Sequence, residues 1–206
     1  MAVTVERRAA LLHNRRLIVK ASAVHRCPRP DTRIAMAKSA KSSTTSSKSD
    51  SQGLEGKKAP KFALPDQEGN KVALKDLSAR GAVVLYFYPK DMTPGCTTEA
   101  CGFRDHVKEI RALGAEVVGV SADSVPSHQK FIAKHSLNFP LLSDPDNQVT
   151  KAYGVYKKKS LYGREFMGIE RTTFVIDRDG KVRKVFPKVK VNGHTEQVLA
   201  ALKEMR

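Results

Sequence analysis

The segment that most constrains this chain is AVVLYFY, residues 82–88, together with the helix and strand patterns downstream of it. Seven consecutive apolar, β-branched and aromatic residues without alternation fit a central strand covered on both faces. The run falls far short of the roughly 18 apolar residues that a spanning helix needs, and no other stretch approaches that length. From Thr97 to Leu113, apolar residues recur at Ala100, Phe103, Val107, Ile110 and Leu113. Steps of three and four place them on one helical face. AEVVGVSA, residues 115–122, is a second buried strand. Strand, helix, strand in this order is the repeating unit of a parallel sheet.

The rest of the chain extends that pattern. KFALPDQEGNKVALKDL (61–77) has a Gly-Asn turn between two short apolar runs and reads as a hairpin. Pro126 opens a helix through His135, with Phe131 and Ile132 facing inward. A short strand, LLSD, comes after Pro140, and then a helix around Asn147–Tyr153. TTFVIDRDGKVRKVF (172–186) is two strands about an Asp-Gly turn. A last helix runs from about Thr195 to Met205, carrying Val198, Leu199, Leu202 and Met205. The fold class is therefore α/β, with a central mixed β-sheet flanked by helices on both faces. This is the thioredoxin-like arrangement, in one domain over residues 53–206.

Charge divides the chain differently. Its net charge is +16, from 37 Lys and Arg against 21 Asp and Glu. Residues 1–50 hold eleven of the basic residues and three of the acids, so +8 sits in this extension alone. The domain is only mildly basic, which weakens any case for a nucleic-acid groove on it. Residues 38–52, KSAKSSTTSSKSDSQ, are low-complexity and expected to be disordered, making 1–52 a basic extension. Its Arg-rich, acid-poor start suits an organellar transit peptide, for plastid or mitochondrion. The location expected is nevertheless cytoplasmic, with residues 1–35 either a mis-called stretch before a true start at Met36 or an inert tail, and the organelle is the alternative.

Three cysteines are present, Cys27, Cys96 and Cys101. Cys27 lies in the extension, where its loss is expected not to matter. The spacing of the other two is not C-x-x-C, so they form neither half a zinc site nor the usual dithiol pair. No His, Cys and carboxylate cluster has metal spacing, so no metal and no cofactor is expected. Cys96 falls where strand 82–88 gives way to the helix beginning near Thr97, just after the turn Thr93-Pro94-Gly95. Sites in open α/β sheets collect at the carboxyl ends of strands. A helix start offers free N–H groups and about half a positive charge, and both stabilise a thiolate. The turn lets the backbone approach a small ligand. Glu99 falls in the first helical turn, where a negative charge is favourable, and a direct role in the pocket is its second reading. No histidine pairs with Cys96, which argues against a Cys-His hydrolase.

These residues carry a resemblance. YFYPKDMTPGCTTEACGFRD closely resembles the active-site segment of the peroxiredoxins, Pro-x-x-x-Thr-x-x-Cys, here Pro89, Thr93 and Cys96. A second cysteine five residues on is typical of their Q subgroup, also called bacterioferritin co-migratory protein. APKFALPDQEGNKVAL, FPLLSDPDNQVTKAYGV and GIERTTFVIDRDGKV look like further blocks of the family. The resemblance spans roughly residues 55–205 and leaves the extension outside.

The resemblance implies a thiol peroxidase that reduces hydrogen peroxide and organic hydroperoxides, in antioxidant defence and redox homeostasis. It implies Cys96 as the peroxidatic nucleophile, which becomes a sulfenic acid. Cys101 is then the resolving cysteine that closes an intramolecular disulfide, reduced by thioredoxin or a similar dithiol. Thr93 would hydrogen-bond in the pocket through its hydroxyl. Arg171 would set a permanent charge and a rigid fork of donors beside the thiolate. Pro89 and Pro94 would shield the sulfur, with Gly95 lining the substrate pocket. A monomer is expected, with no specific nucleic acid and no membrane as partner. If residues 96–101 are continuous helix, the two cysteine Cα atoms lie roughly 8.6 Å apart. A disulfide bridges no more than about 7 Å without backbone movement, so the first turns would have to unwind. Gly102, a poor helix former, would ease that opening. Two other classes fit less well. A nucleic-acid module lacks aromatics interleaved with the basic stretches, and a general dithiol–disulfide oxidoreductase lacks C-x-x-C.

Overall fold

The computed structural model of the chain describes residues 51–161 and 164–205. The transit-peptide, Met36 and Cys27 readings fall outside the described residues. A 3-10 turn at Gln52–Leu54 opens the described chain, with Ser51 buried beneath it.

The elements are strands β1 (Ala63–Pro65), β2 (Lys71–Ala73), β3 (Ala82–Phe87), β4 (Ala115–Ser121), β5 (Leu141–Ser143), β6 (Tyr156–Leu161), β7 (Arg164–Ile169), β8 (Thr172–Ile176) and β9 (Val182–Phe186). The helices are α1 (Leu74–Arg80), α2 (Pro94–Ala112), α3 (Val125–His135), α4 (Gln148–Ala152) and α5 (His194–Glu204). The central sheet has the order β5-β4-β3-β8-β9. β3, β4 and β5 run parallel, while β8 lies antiparallel to both β3 and β9.

β3 is central because it is apolar on both sides. Val83, Leu85 and Phe87 enter one core with Leu74 and Leu77 of α1, Val149 of α4, and Tyr153. Val84, Tyr86 and Tyr88 enter the other with Ala100, Phe103 and Ile110 of α2, Phe131 of α3, and Val198, Leu199 and Leu202 of α5. This is the mixed sheet with helices on both faces that the alternation predicts.

Three features depart from the sequence pattern. The second half of the first hairpin is cut short: β2 has three residues, and helix α1 starts at Leu74. Leu74 and Leu77 are three apart and both buried, a helical spacing that so short a segment hides. The hairpin β6–β7, a separate two-stranded sheet, has no periodic signal, because β6 (YKKKSL) runs through three consecutive lysines and β7 (REFMGI) lacks apolar–polar alternation. Finally, α2 starts at Pro94 rather than near Thr97, so Cys96 sits inside its first turn. Proline at the first helical position gives up an N–H that would have no helical partner anyway.

Candidate active site

The carboxyl edge of β3 sets the location. The chain leaves β3 at Phe87, turns through Pro89–Thr93 and enters α2. Thr93 is the N-cap residue, and the first helical hydrogen bond runs from the Thr97 N–H to its carbonyl, 2.8 Å. The amides of Gly95 and Cys96 precede that bond and belong to the electropositive helix end. Cys96 is a free thiol, only 1% exposed, over Tyr86, Ala100 and Phe103 in the core beneath α2.

Arg171 comes from 75 residues away. It immediately precedes β8, and antiparallel pairing sets Thr172 opposite Phe87. The amino end of β8 therefore meets the carboxyl end of β3, bringing the guanidinium over the start of α2. Its Nη2 donates to Cys96 Sγ at 3.3 Å, and its Nη1 donates to Glu99 Oε2 and to the Gly95 carbonyl. Gly95 leaves room for it, since a Cβ there would lie 3.2 Å from Nη2. Burial works against the arginine's charge, but Glu99 and Cys96 more than offset it and raise its pKa. The guanidinium is thus a fixed cation beside the sulfur, with its fork already aimed.

Glu99 is the residue that the sequence pattern undervalues. It lies in the second helical turn, fully enclosed, and its role is to hold Arg171 rather than to complement the helix end. Burial pushes its carboxyl up to about 7, with the arginine's charge and hydrogen bond opposing. Its second oxygen, Oε1, is buried without a hydrogen-bond partner among the described residues. A signal exists in the spacing: Glu99 comes three residues after Cys96 and so shares its helical face. Lys159 of β6 has no such signal. Burial lowers its pKa first, and the charges of Glu170, Arg171 and Cys96 also act on it, which sets it in the same electrostatic field.

The remaining expected residues are more peripheral. The Thr93 hydroxyl is half-buried and donates to the Lys90 carbonyl at 3.0 Å, closing the turn. Pro89 and Pro94 are exposed. Cys101 lies 2% exposed in the same unbroken helix as Cys96 and is not joined to it. Gly102 has a packing reason that the sequence conceals: a Cβ there would meet Thr195 Oγ1 at 2.9 Å, where α2 crosses the start of α5. Among the described residues no group of three or more His, Cys, Asp or Glu is arranged to hold a metal, and no helix is long and apolar enough to cross a membrane.

A buried thiol at a helix start, beside a clamped guanidinium, is equipped to attack a small electrophile and stabilise the charge on its leaving atom. Comparison with known proteins agrees. The AhpC/TSA family model matches residues 55–185. The putative peroxiredoxin bcp of Coxiella burnetii is 52% identical over 147 residues, 71% of this chain and 97% of that protein. Peroxiredoxin Bcp of Bacillus subtilis is 49% identical over 150 residues, 73% of this chain and 95% of that protein. Among solved structures, peroxiredoxin Q of Xanthomonas campestris matches with TM-score 0.66 and 45% identity, covering 69% of this chain and 90% of that one. The bacterioferritin comigratory protein of the same organism, solved as trapped intermediate and ligand complexes that bear on its alkyl peroxide reduction, matches with TM-score 0.67 and 44% identity over 70% and 91%. The activity of such a chain is that of a thiol-dependent peroxidase, which reduces hydroperoxides with electrons drawn from a thiol reductant. With its fold, its matched span and its near relatives in accord, the chain belongs to the AhpC/TSA family, among the Bcp/Q peroxiredoxins.

Proposed function

We propose that Cys96 is the peroxidatic nucleophile and Cys101 its resolving partner. The Cys96 thiolate attacks one peroxide oxygen, and the O–O bond breaks. The sulfur is oxidised to a sulfenic acid, and the other oxygen leaves as water or an alcohol after taking up a proton. Arg171 serves both stages of that displacement, with one fork arm on the sulfur and a permanent charge for the departing oxygen. Thr93 shapes the turn and offers its hydroxyl once a peroxide competes with the Lys90 carbonyl. Pro89, Pro94 and Gly95 border the approach. Condensation with the Cys101 thiol then forms the disulfide and releases water. Reduction by a dithiol, thioredoxin, returns both thiols and leaves the donor as a disulfide. The substrates are hydrogen peroxide and organic hydroperoxides, in line with the alkyl peroxide reduction studied in the Xanthomonas relative. The protein acts as a monomer in the cytoplasm, without nucleic acid or membrane, and residues 1–52 take no part in the chemistry.

The observation that carries this reading is the Arg171–Cys96 contact at 3.3 Å, at the first turn of a helix that also holds Cys101. Because that helix is unbroken from Pro94 to Ala112, the disulfide requires local unwinding. Peroxide consumption with a thioredoxin system tests the nucleophile, with Cys96→Ser expected to be inert. Peptide mapping with amide exchange tests the resolving step. Oxidation is expected to strip protection from 96–104 and spare the helix after Val107. An intermolecular disulfide, or unchanged protection with the intrachain bond formed, would overturn it.

A further inference from the structure

A second buried polar cluster lies against the catalytic turn, and the reaction as written does not use it. Asp91, in the connection between β3 and α2, is 4% exposed. Its carboxylate accepts hydrogen bonds from the Tyr88 hydroxyl at 2.7 Å, the Ser127 hydroxyl at 2.7 Å and His128 Nδ1 at 2.9 Å. Its backbone N–H donates to Asp123 Oδ2 at 2.8 Å, and that same oxygen accepts from the Ser121 hydroxyl. The cluster therefore bolts one residue of the turn to the end of β3, the end of β4 and the first turn of α3. Burial would push the Asp91 carboxyl up, but the bonds from His128 and Ser127, the charge of His128 and the Tyr88 bond outweigh it and leave its pKa below the usual value. His128 is completely buried, with its Nε2 unpartnered among the described residues. A buried carboxylate with three donors has one defined position, which an apolar contact would not impose.

The next residues in the chain are the ones this position controls. Met92, directly after Asp91, has φ 61°, a left-handed conformation that a non-glycine residue holds only where its surroundings enforce it. Asp91 fixes the near side of Met92. The Thr93 hydroxyl bond to the Lys90 carbonyl closes the turn around it. Pro94, Gly95 and Cys96 then form the first turn of α2. Release of Asp91 would let Met92 relax toward negative φ and swing the helix start, and with it the sulfur, away from Arg171.

We propose that Asp91, held by Tyr88, Ser127 and His128, is a positioning residue that sets the turn carrying Cys96 in register with Arg171. This rests on Cys96 as the attacking thiol, which Cys96→Ser tests separately: an active Cys96→Ser protein would refute that reading, whatever the Asp91 variants do. The test compares two reactions of the same sulfur in the full-length reduced protein. Peroxide reduction needs the arginine fork in place, whereas alkylation by iodoacetamide needs only an accessible thiolate, so both are measured at alkaline pH, where thiols are ionised whatever their neighbours. Asp91→Asn keeps the shape but removes the charge and replaces an acceptor oxygen with a donor, so at least one of the three bonds must reverse or break. Its peroxide attack is expected to slow by up to about 100-fold, as for a reacting group displaced by about 1 Å. Its alkylation should quicken, because the sulfur is no longer enclosed. His128→Ala should behave in the same way, and His128→Asn, which keeps a donor at the Nδ1 position, should restore most of the peroxide rate. Amide exchange should speed up at 89–96 and stay unchanged in α5. Should Asp91→Asn or His128→Ala fail to fold, Ser127→Ala removes one donor from a partly exposed position and should shift the ratio of the two rates in the same direction. An unchanged ratio in Ser127→Ala, or peroxide and alkylation rates that fall together in Asp91→Asn, would overturn the proposal.

Discussion

Asp91 and Glu99 are two buried carboxylates eight residues apart on either side of Cys96, and the protein treats them in opposite ways. Asp91 has three donors, and although burial opposes them they hold its pKa below the usual carboxylate range. Glu99 has the Arg171 guanidinium on one oxygen and, among the described residues, no partner on the other, and burial pushes it up to about 7. Both are shielded from solvent, but Glu99 lies deeper in the protein, so burial raises it more. The number of donors acts in the same direction: a carboxylate with several hydrogen bonds stays charged, whereas a deeper one with a single partner approaches neutrality near physiological pH. The satisfied cluster suits a fixed mount, and the under-satisfied one lies where charge has to change during a reaction.

The comparison can be broken most forcefully from the Glu99 side. Cys96→Ser removes the thiol that shares Arg171 with Glu99 and that follows the turn held by Asp91. It is expected to lower peroxide consumption by roughly 10³-fold or more while leaving the circular dichroism unchanged. A tenth of the wild-type rate remaining would remove Cys96 from the role. Arg171→Ala strips the fork from the sulfur and leaves Glu99 buried without its cation. Loss of one charge-stabilising donor group typically costs about 10²-fold, and stopped-flow measurement of peroxide attack is expected to show a drop of that order. Arg171→Lys should recover only part of it, because an ammonium cannot bridge Cys96, Glu99 and the Gly95 carbonyl together.

A finer test uses pH. Glu99 titrates at about 7 in the fold, with burial as the main cause, against an ordinary 4.5. Between these values the folded state holds the extra proton, so this group's contribution to stability declines as pH rises through that window. His194, at the start of α5, is the counterpart. Burial first, and then Arg171, lower it to about 4 from 6.5. Between those values the unfolded state holds the extra proton, so its contribution is complete above about 6.5 and is lost as pH falls toward 4. The two slopes oppose each other over most of their range. Glu99→Gln is therefore expected to make urea-unfolding stability rise with pH between about 4.5 and 6.5, by at most roughly 1.4 kcal/mol per pH unit. His194→Asn should make it fall over the same range. Parallel curves for both variants would show that neither group titrates as its surroundings imply. The smallest effect is expected from deleting residues 1–52, with specific activity staying within about twofold. Loss of cycling with thioredoxin in that truncation would give Cys27 or the extension a role.

The legible part of the sequence is local. The apolar run at 82–88, the three-and-four spacing of α2 and the Asp-Gly turn before β9 each arise from short-range periodicity and turn chemistry, and each stands where expected. Cys96 at a strand-to-helix junction is equally plain, because proline and glycine mark such turns. Arg171 is reached only through family resemblance, since its contact with Cys96 depends on β8 lying antiparallel beside β3. A register that joins residues 75 apart in the chain has no local signature. The same holds for Glu99, which helical spacing sets on the right face but whose burial and partner come from across the sheet. Asp91 and His128, 37 residues apart, meet because two parallel strands deliver their loops to one edge. Gly102 is the sharpest case: a weak point of a helix by its propensity, and a point of close approach to α5 by its packing. The sequence by itself determined where the strands and helices run and where the thiol sits, because those depend on neighbours along the chain. Which charges surround that thiol, and which of them are left unsatisfied, only the tertiary structure decided, because burial and electrostatics depend on neighbours in space.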